Sequence, residues 1–68
     1  MNDYNILCYA RDDLLSNPHI DADIVWRAFN LAERSSDMQG LFHRYIGATT
    51  PEEKYMIERV IEDMVREY

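Results

Sequence analysis

The sequence predicts an all-α protein: a small bundle of three to four short helices with no sheet, completed by dimerisation. Apolar residues recur at intervals of three and four along most of the chain, a spacing that places them on one face of a helix. Nowhere does a strict alternation of apolar and polar residues, bounded by turns, indicate a strand. Prolines and capping residues then divide the 68 residues into helical segments of a single domain.

The first predicted helix covers residues 3–16. Asn2 or Asp3 can cap the free N–H groups of its first turn, because short polar side chains accept hydrogen bonds there. The helix should end before Pro18, since proline disfavours helical geometry in the residue that precedes it. Its apolar stripe, which also carries Arg11, comprises Tyr4, Leu7, Cys8, Leu14 and Leu15.

The second predicted helix covers residues 21–35, with Asp21 as its cap. Ile20 and Val25 occupy the two positions of a hydrophobic staple, one before the cap and one in the second turn. The apolar face of this helix is broad. It comprises Ile24, Val25, Ala28, Phe29, Leu31 and Ala32.

A third helix is predicted at residues 36–46, because the next apolar set is rotated by roughly a quarter turn relative to the preceding face. A new start at Ser36, with Gln39 completing a capping box, explains this rotation. A single bent helix over residues 21–46 is the alternative. Gly47 is expected to end the segment as a left-handed C-cap. The rotated set comprises Met38, Leu41, Phe42, Tyr45 and Ile46.

The last predicted helix, residues 51–67, has the clearest start signal. Thr50 can act as its cap, a proline then takes the first helical position, and Glu53 completes a capping box. Glu62 and Arg66 form a favourably oriented pair four residues apart. The apolar stripe comprises Ile57, Val60, Ile61, Met64, Val65 and Tyr68.

Chain length and cysteine content predict self-association and a cytoplasmic location. A chain of 68 residues lies near the lower limit for folding alone, because it buries only about 60% of the surface its unfolded form exposes. Its single cysteine, Cys8, excludes an internal disulfide. We therefore expect a homodimer whose interface supplies further burial.

The apolar runs are too short for a bilayer and the N-terminal segment is acidic where a signal peptide is basic, so we expect a cytoplasmic protein without a membrane partner.

The charge is acidic and unevenly distributed. Residues 1–23 carry five acids and one base, residues 24–51 two acids and three bases, and residues 52–68 six acids and three bases, which gives −4, +1 and −3 and a total of −6. Binding to nucleic acid needs a cationic face that displaces counterions. We therefore expect no direct contact with DNA or RNA.

The residue types that support catalysis or metal binding occur without the necessary spacing. Cys8 lies on an apolar stripe, where a thiol packs as a small hydrophobic group, so we expect it to be structural. His19 and His43 lack partners at zinc-motif spacing. The segment from His19 to Asp23 resembles the start of a calcium loop but lacks the required glycine and distal glutamate. The sequence therefore predicts no enzyme, no cofactor and no metal.

Three aromatic residues lie opposite the apolar stripes of their helices. At 100° per residue, Tyr9, Trp26 and Tyr55 are displaced by about 160°, 140° and 150° from the stripe centres. Trp and Tyr are enriched at the centres of protein interfaces. We therefore expect a partner-binding surface that includes Trp26, with Tyr9 and Tyr55 as weaker candidates. Isolated exposed aromatics, or rings wrapped by the bundle, are the alternative explanation.

These features favour a small acidic protein that binds and regulates another protein, as an adaptor or inhibitor of the kind carried by a bacterium or its phage. One alternative is an acidic mimic of nucleic acid that occupies the basic groove of a DNA- or RNA-binding protein. The bases that interrupt the acids of the last helix, Lys54, Arg59 and Arg66, count against mimicry. A second alternative is a small structural subunit of a larger assembly. The exposed aromatics could also serve self-association.

Overall fold

Four α-helices make up the computed structural model, which describes residues 3–68 and contains no strand among them. They are α1 (Asp3–Leu15), α2 (Ala22–Ala32), α3 (Ser36–Gly47) and α4 (Pro51–Glu67). The predicted all-α class is confirmed. The proposed capping of α1 by Asn2 or Asp3 falls outside the residues whose side chains the structure describes.

The start of α2 is capped as predicted. The Asp21 carboxylate accepts a hydrogen bond from the Asp23 N–H at 3.3 Å. Ile20 and Val25, the two members of the expected staple, are both buried. The staple directs the chain from the first loop into α2, since its two apolar groups leave water together.

A break at residues 33–35 separates α2 from α3, so the segment is two helices and not one bent helix. Helix α3 begins at Ser36, the predicted first residue. Its cap is Ser35, whose hydroxyl oxygen accepts from the Met38 N–H at 3.3 Å, so the predicted capping box, which needs Ser36 as the cap, was wrong by one residue. Gln39 consequently sits one position too far along for a capping box. Its Nε2 donates instead to the Ala32 carbonyl at 2.7 Å, which satisfies an acceptor at the end of α2.

The end of α3 differs from the left-handed cap expected at Gly47. No described residue has a positive φ, and Gly47 is the last residue of the helix itself. The chain leaves through Ala48 in an extended conformation, with its N–H bonded to the Tyr45 carbonyl at 3.3 Å. An extended exit suits this connection because only Ala48, Thr49 and the cap Thr50 separate α3 from α4.

The start of α4 and one ion pair on its surface match the prediction. Thr50 Oγ1 accepts from the Glu53 N–H at 3.2 Å, and Pro51 follows as the first helical residue. Glu62 and Arg66 form the expected ion pair at 3.7 Å.

The core lies between the four helices, and both α1 and α4 pack on the pair formed by α2 and α3. The described residues extend over 29 × 26 × 18 Å. Burial of apolar side chains from all four helices is the main source of stability. The buried apolar residues are Leu7, Ala10, Leu14, Ile20, Val25, Ala28, Phe29, Ala32, Met38, Leu41, Phe42, Tyr45, Ile57 and Ile61.

Four residues that the spacing assigned to apolar stripes are exposed: Tyr4, Ile46, Val60 and Tyr68. Tyr4, Ile46 and Tyr68 lie at the ends of their helices. The buried face of α4 is rotated relative to the predicted apolar stripe, because its buried residues are Ile57, Glu58 and Ile61. Val60 therefore lies at the edge of the buried face.

Two neighbouring residues of α4 provide a matched test of this shift. Replacing the buried Ile61 with alanine should lower the free energy of unfolding by about 2–5 kcal/mol, because it leaves a cavity in the core. Val60→Ala should change it by about 0.5 kcal/mol or less, as exposed substitutions do. Urea unfolding followed by circular dichroism measures both. Equal losses for the two variants would contradict the observed face of α4.

Candidate functional site

The three aromatic residues proposed for partner binding all reach the surface. The exposed fractions are 59% for Tyr9, 46% for Trp26 and 48% for Tyr55. The helical-angle argument therefore placed these side chains correctly, while their role in binding stays a prediction. Each ring has a different set of neighbours. Among the described residues, no two of these three rings stack on or contact each other.

Trp26 belongs to an aromatic cluster that also contains Tyr4, Arg11 and Phe29. The edge of one ring meets the face of the other between Trp26 and Phe29, with centroids 6.2 Å apart. The Arg11 guanidinium lies 5.1 Å from the Trp26 centroid and 4.8 Å from that of Phe29. Tyr4 contacts Phe29 at a centroid distance of 6.1 Å. The indole is thus held on one side by the protein and open to solvent on the other.

Tyr9 lies on the opposite side of α1 from this cluster. It is two residues from Arg11, which corresponds to about 200° around the helix. Tyr9 lines a mainly apolar hollow of about 420 Å³ together with Ile6, Asp13 and Ile46. The structure therefore does not bring Tyr9 and Trp26 into one surface.

Tyr55 lines a larger cleft, with a volume of about 800 Å³, which we call the α4 cleft. One wall is the loop after α1, where Asn17 and His19 lie, and the other comprises the loop before α4 and its first turns. The Tyr55 and His19 rings meet edge to face across the cleft, with centroids 6.1 Å apart.

An ion pair joins a residue of the α4 cleft to a residue of the hollow at Tyr9. Lys54 Nζ, from a residue that lines the cleft, lies 2.9 Å from the carboxylate of Asp13, which lines the hollow. The same ammonium group lies 5.2 Å from the centroid of the Tyr45 ring. Lys54 is therefore engaged by a carboxylate and an aromatic face, and its charge is already balanced.

Glu58 lines the same cleft and is 1% exposed, the one charged side chain buried among the described residues. Its Oε2 accepts hydrogen bonds from the Tyr45 hydroxyl, at 2.7 Å, and from Asn17 Nδ2. Its Oε1 is buried without a hydrogen-bond partner. Buried carboxyl groups normally have partners for both oxygens, so this atom marks a site with acceptor capacity to spare.

The sequence analysis missed Glu58. Glutamate is almost never fully buried, and this one stands among the charged residues of α4. One signal could have revealed it: at 100° per residue Glu58 is only about 20° from Val65, a member of the predicted apolar stripe. Its partner Tyr45 was assigned only to the core, and Asn17 only to a helix end.

Burial of the phenol is the main reason why the pKa of Tyr45 is raised above its ordinary value. The hydrogen bond to Glu58 and the negative charges of Glu58 and Asp13 act in the same direction, whereas the hydrogen bond from Asn17 acts against it. The Tyr45 hydroxyl therefore stays protonated in the folded protein at pH values where an exposed tyrosine ionises.

Cys8 lies next to Tyr9 but away from the α4 cleft. Cys8 is half-buried against the core, with Asn5, Tyr9 and Asp12 around its outer side. Within the part of the chain that the structure describes, no three His, Cys, Asp or Glu side chains converge as a metal site would require. What the α4 cleft offers chemically is a hydrogen-bond acceptor beside two aromatic rings.

Comparison of the chain with protein-family models, with curated proteins and with solved structures found no match. None of the helices within residues 3–68 combines the length and the apolar character that crossing a membrane requires.

The raised pKa of Tyr45 predicts a loss of stability at alkaline pH. Above about pH 10 the Tyr45 phenol ionises in the unfolded chain but not in the folded protein, so the unfolded state gains free energy of ionisation. Below about pH 10 the phenol is protonated in both states and does not affect the free energy of unfolding. Above about pH 10 the free energy of unfolding should fall by about 1.4 kcal/mol per pH unit. Urea unfolding over a series of alkaline pH values measures the slope.

Tyr45→Phe should reduce that alkaline slope, because phenylalanine has no proton to release. The exposed tyrosine Tyr9 supplies the control, and Tyr9→Phe should keep the slope of the unmodified protein. An unchanged slope in Tyr45→Phe would refute the attribution to Tyr45.

Proposed function

We propose that this chain is a small acidic regulatory protein without catalytic activity, which binds a different protein as an adaptor or inhibitor. Trp26 is the centre of the binding surface in this proposal, and the chain acts in the cytoplasm of a bacterium, as its own protein or that of a phage. The observation that carries the proposal is the state of the indole: half exposed, yet held by Arg11 and Phe29.

A held but exposed indole suits an interface anchor. Ordering a mobile side chain at an interface costs about 0.5–1.5 kcal/mol, and a ring that is already positioned avoids much of that cost. Tryptophan also offers a large apolar area together with an N–H donor. The aromatic cluster therefore has the properties of a binding hot spot before any partner arrives.

The charges around the cluster favour a neutral, apolar pocket on the partner. Arg11 pairs with Asp12 at 3.0 Å, and Arg27 pairs with Asp23 at 3.2 Å, so the positive charges near Trp26 are compensated. The net charge of −6 opposes the approach of a second copy of the chain. These features favour a foreign protein as the main partner, with binding that depends only weakly on salt.

Mimicry of nucleic acid fits the arrangement of charges less well. A mimic needs an ordered row of unpaired carboxylates. In this protein several acidic side chains are paired with bases, and another is buried. The paired acids are Asp12, Asp13, Asp23 and Glu62, and the buried one is Glu58. Binding that weakens steeply with salt would favour mimicry over the aromatic anchor.

Substitution of Trp26 tests the proposal. A partner is first isolated by affinity capture and purified, and its affinity is then measured by calorimetry. Trp26→Ala should reduce binding by about 30-fold or more, equivalent to about 2 kcal/mol, as expected for a hot-spot residue. Its cost in folding stability should be smaller than the roughly 3–5 kcal/mol of a buried tryptophan, because half of the ring is already exposed.

Val60→Ala is the control, since Val60 is as exposed as Trp26 but lies on α4, outside the aromatic cluster. It should leave affinity nearly unchanged. A large loss of thermal stability in Trp26→Ala, with unchanged affinity per folded molecule, would make Trp26 a structural residue and remove the proposed anchor.

Self-association is the second proposal for the exposed apolar residues, because Met56 and Val60 form an exposed pair one turn apart on α4. A homodimer through such a surface would add burial to a small core. Light scattering at high micromolar concentration should then give twice the mass of the chain, with a melting temperature that rises with concentration. A monomer with concentration-independent melting would exclude the dimer.

A further inference from the structure

We propose that the α4 cleft binds an arginine side chain of a partner protein, with Glu58 Oε1 as the acceptor at its floor. The proposal rests on the proposed function only in assigning the arginine to a protein partner. The cleft itself lies away from the Trp26 cluster and can be tested separately.

The unpartnered oxygen is the first argument. Glu58 is almost completely buried, its Oε2 is occupied by Tyr45 and Asn17, and its Oε1 has no donor. A buried polar atom without a hydrogen bond costs about 1–3 kcal/mol. A ligand that brings an N–H donor to Oε1 removes this cost, and Glu58 is part of the cleft lining through which such a donor would arrive.

The charge of the cleft is the second argument. Lys54, the one cation of the lining, is held by Asp13 and stacked over the Tyr45 ring. The remaining carboxyl groups of the lining are those of Glu58 and of the exposed Glu52. A cationic donor is therefore favoured over a neutral one, since charge-assisted hydrogen bonds are stronger.

The shape of the walls favours guanidinium over ammonium. Tyr55 and His19 place two aromatic rings in the cleft, and Pro51 and Met56 add apolar surface. A planar guanidinium stacks on such rings and still directs N–H groups at a carboxyl oxygen, whereas the compact ammonium of lysine is more strongly hydrated. A volume of about 800 Å³ leaves room for the apolar stem of the side chain and part of the segment that carries it.

Access to Oε1 requires a small movement, because the atom has almost no exposed area of its own. Two side chains of the cleft lining, those of Tyr55 and Met56, are exposed. Exposed side chains change rotamer within nanoseconds, so the guanidinium can reach the floor without any shift of the helices.

The test is a titration of the 15N-labelled protein with Nα-acetyl-arginine N-methylamide, followed by amide NMR spectra. We expect saturable shifts at the cleft residues, among them Thr49, Tyr55 and Glu58, with a dissociation constant on the order of 1 mM, as suits a single side chain. The lysine counterpart should bind more weakly. The citrulline counterpart, which has the same shape without the charge, should bind at least about tenfold more weakly.

Glu58→Gln is the decisive variant, because its amide oxygen can still accept from Tyr45 and Asn17 while its NH₂ group replaces Oε1. It should keep the fold and lose the arginine-dependent shifts. Glu67→Gln is the control: it removes the same charge from an exposed site on the same helix, about 13 Å further along, and should bind like the unmodified protein. Tyr55→Ala, a change at the surface, should weaken binding several-fold and serves if Glu58→Gln does not fold.

Several outcomes would overturn the proposal. Equal shifts with the citrulline or lysine compound, shifts that persist in Glu58→Gln, or shifts spread over all acidic surfaces would each do so. The absence of saturable shifts would also do so, and would favour a water molecule as the partner of Oε1. None of these results bears on Trp26, whose role is measured with the purified partner, so the two proposals can fail independently.

Discussion

The buried Glu58 side chain joins parts of the chain that helix packing alone leaves separate. Both α1 and α4 pack on the α2–α3 pair, and the connections between these outer elements include the hydrogen bond from Asn17 to Glu58 and the ion pair of Lys54 with Asp13. Tyr45 adds α3 to the same network. Loss of the carboxyl group would leave the Tyr45 and Asn17 polar groups without this partner, at about 1–3 kcal/mol for each buried group. A polar network of this kind also specifies one arrangement of the helices more strictly than apolar contact does.

The two oxygens of Glu58 have different environments, and this links stability to the proposed ligand. Oε2 is saturated by donors from the protein, whereas Oε1 has none. A group that binds Oε1 only in the folded state would stabilise the fold by mass action. The position of the α4 cleft follows from the same network, because Asn17 holds the loop after α1 against the first turns of α4.

Arg11 has a comparable role at the other proposed site. Its guanidinium lies close to the rings of both Trp26 and Phe29 and also pairs with Asp12. The spacing predicted Arg11 on the apolar stripe of α1, and its side chain is only 21% exposed, while the charged end contacts the indole. The orientation of Trp26 therefore depends on a residue from a different helix, which the sequence of α2 alone does not reveal.

The sequence by itself determined the all-α class and most of the helix starts, because these depend on local properties, but it left open whether residues 21–46 form one bent helix or two. Asp21 and Thr50 cap helices wherever the chain goes, and apolar residues spaced by three and four define a face on an isolated helix. The exposure of Tyr9, Trp26 and Tyr55 followed from the same periodicity.

Only the tertiary structure decided which part of each face is buried, since that depends on where neighbouring helices end and cross. It exposed Val60 and buried Glu58. It also placed the Gln39 side chain at the end of α2, where it caps the Ala32 carbonyl instead of completing a capping box at the start of α3. It also brought Asn17, Tyr45 and Glu58 together across 41 residues of sequence, a contact that no local pattern encodes because it arises from the packing of three separate segments.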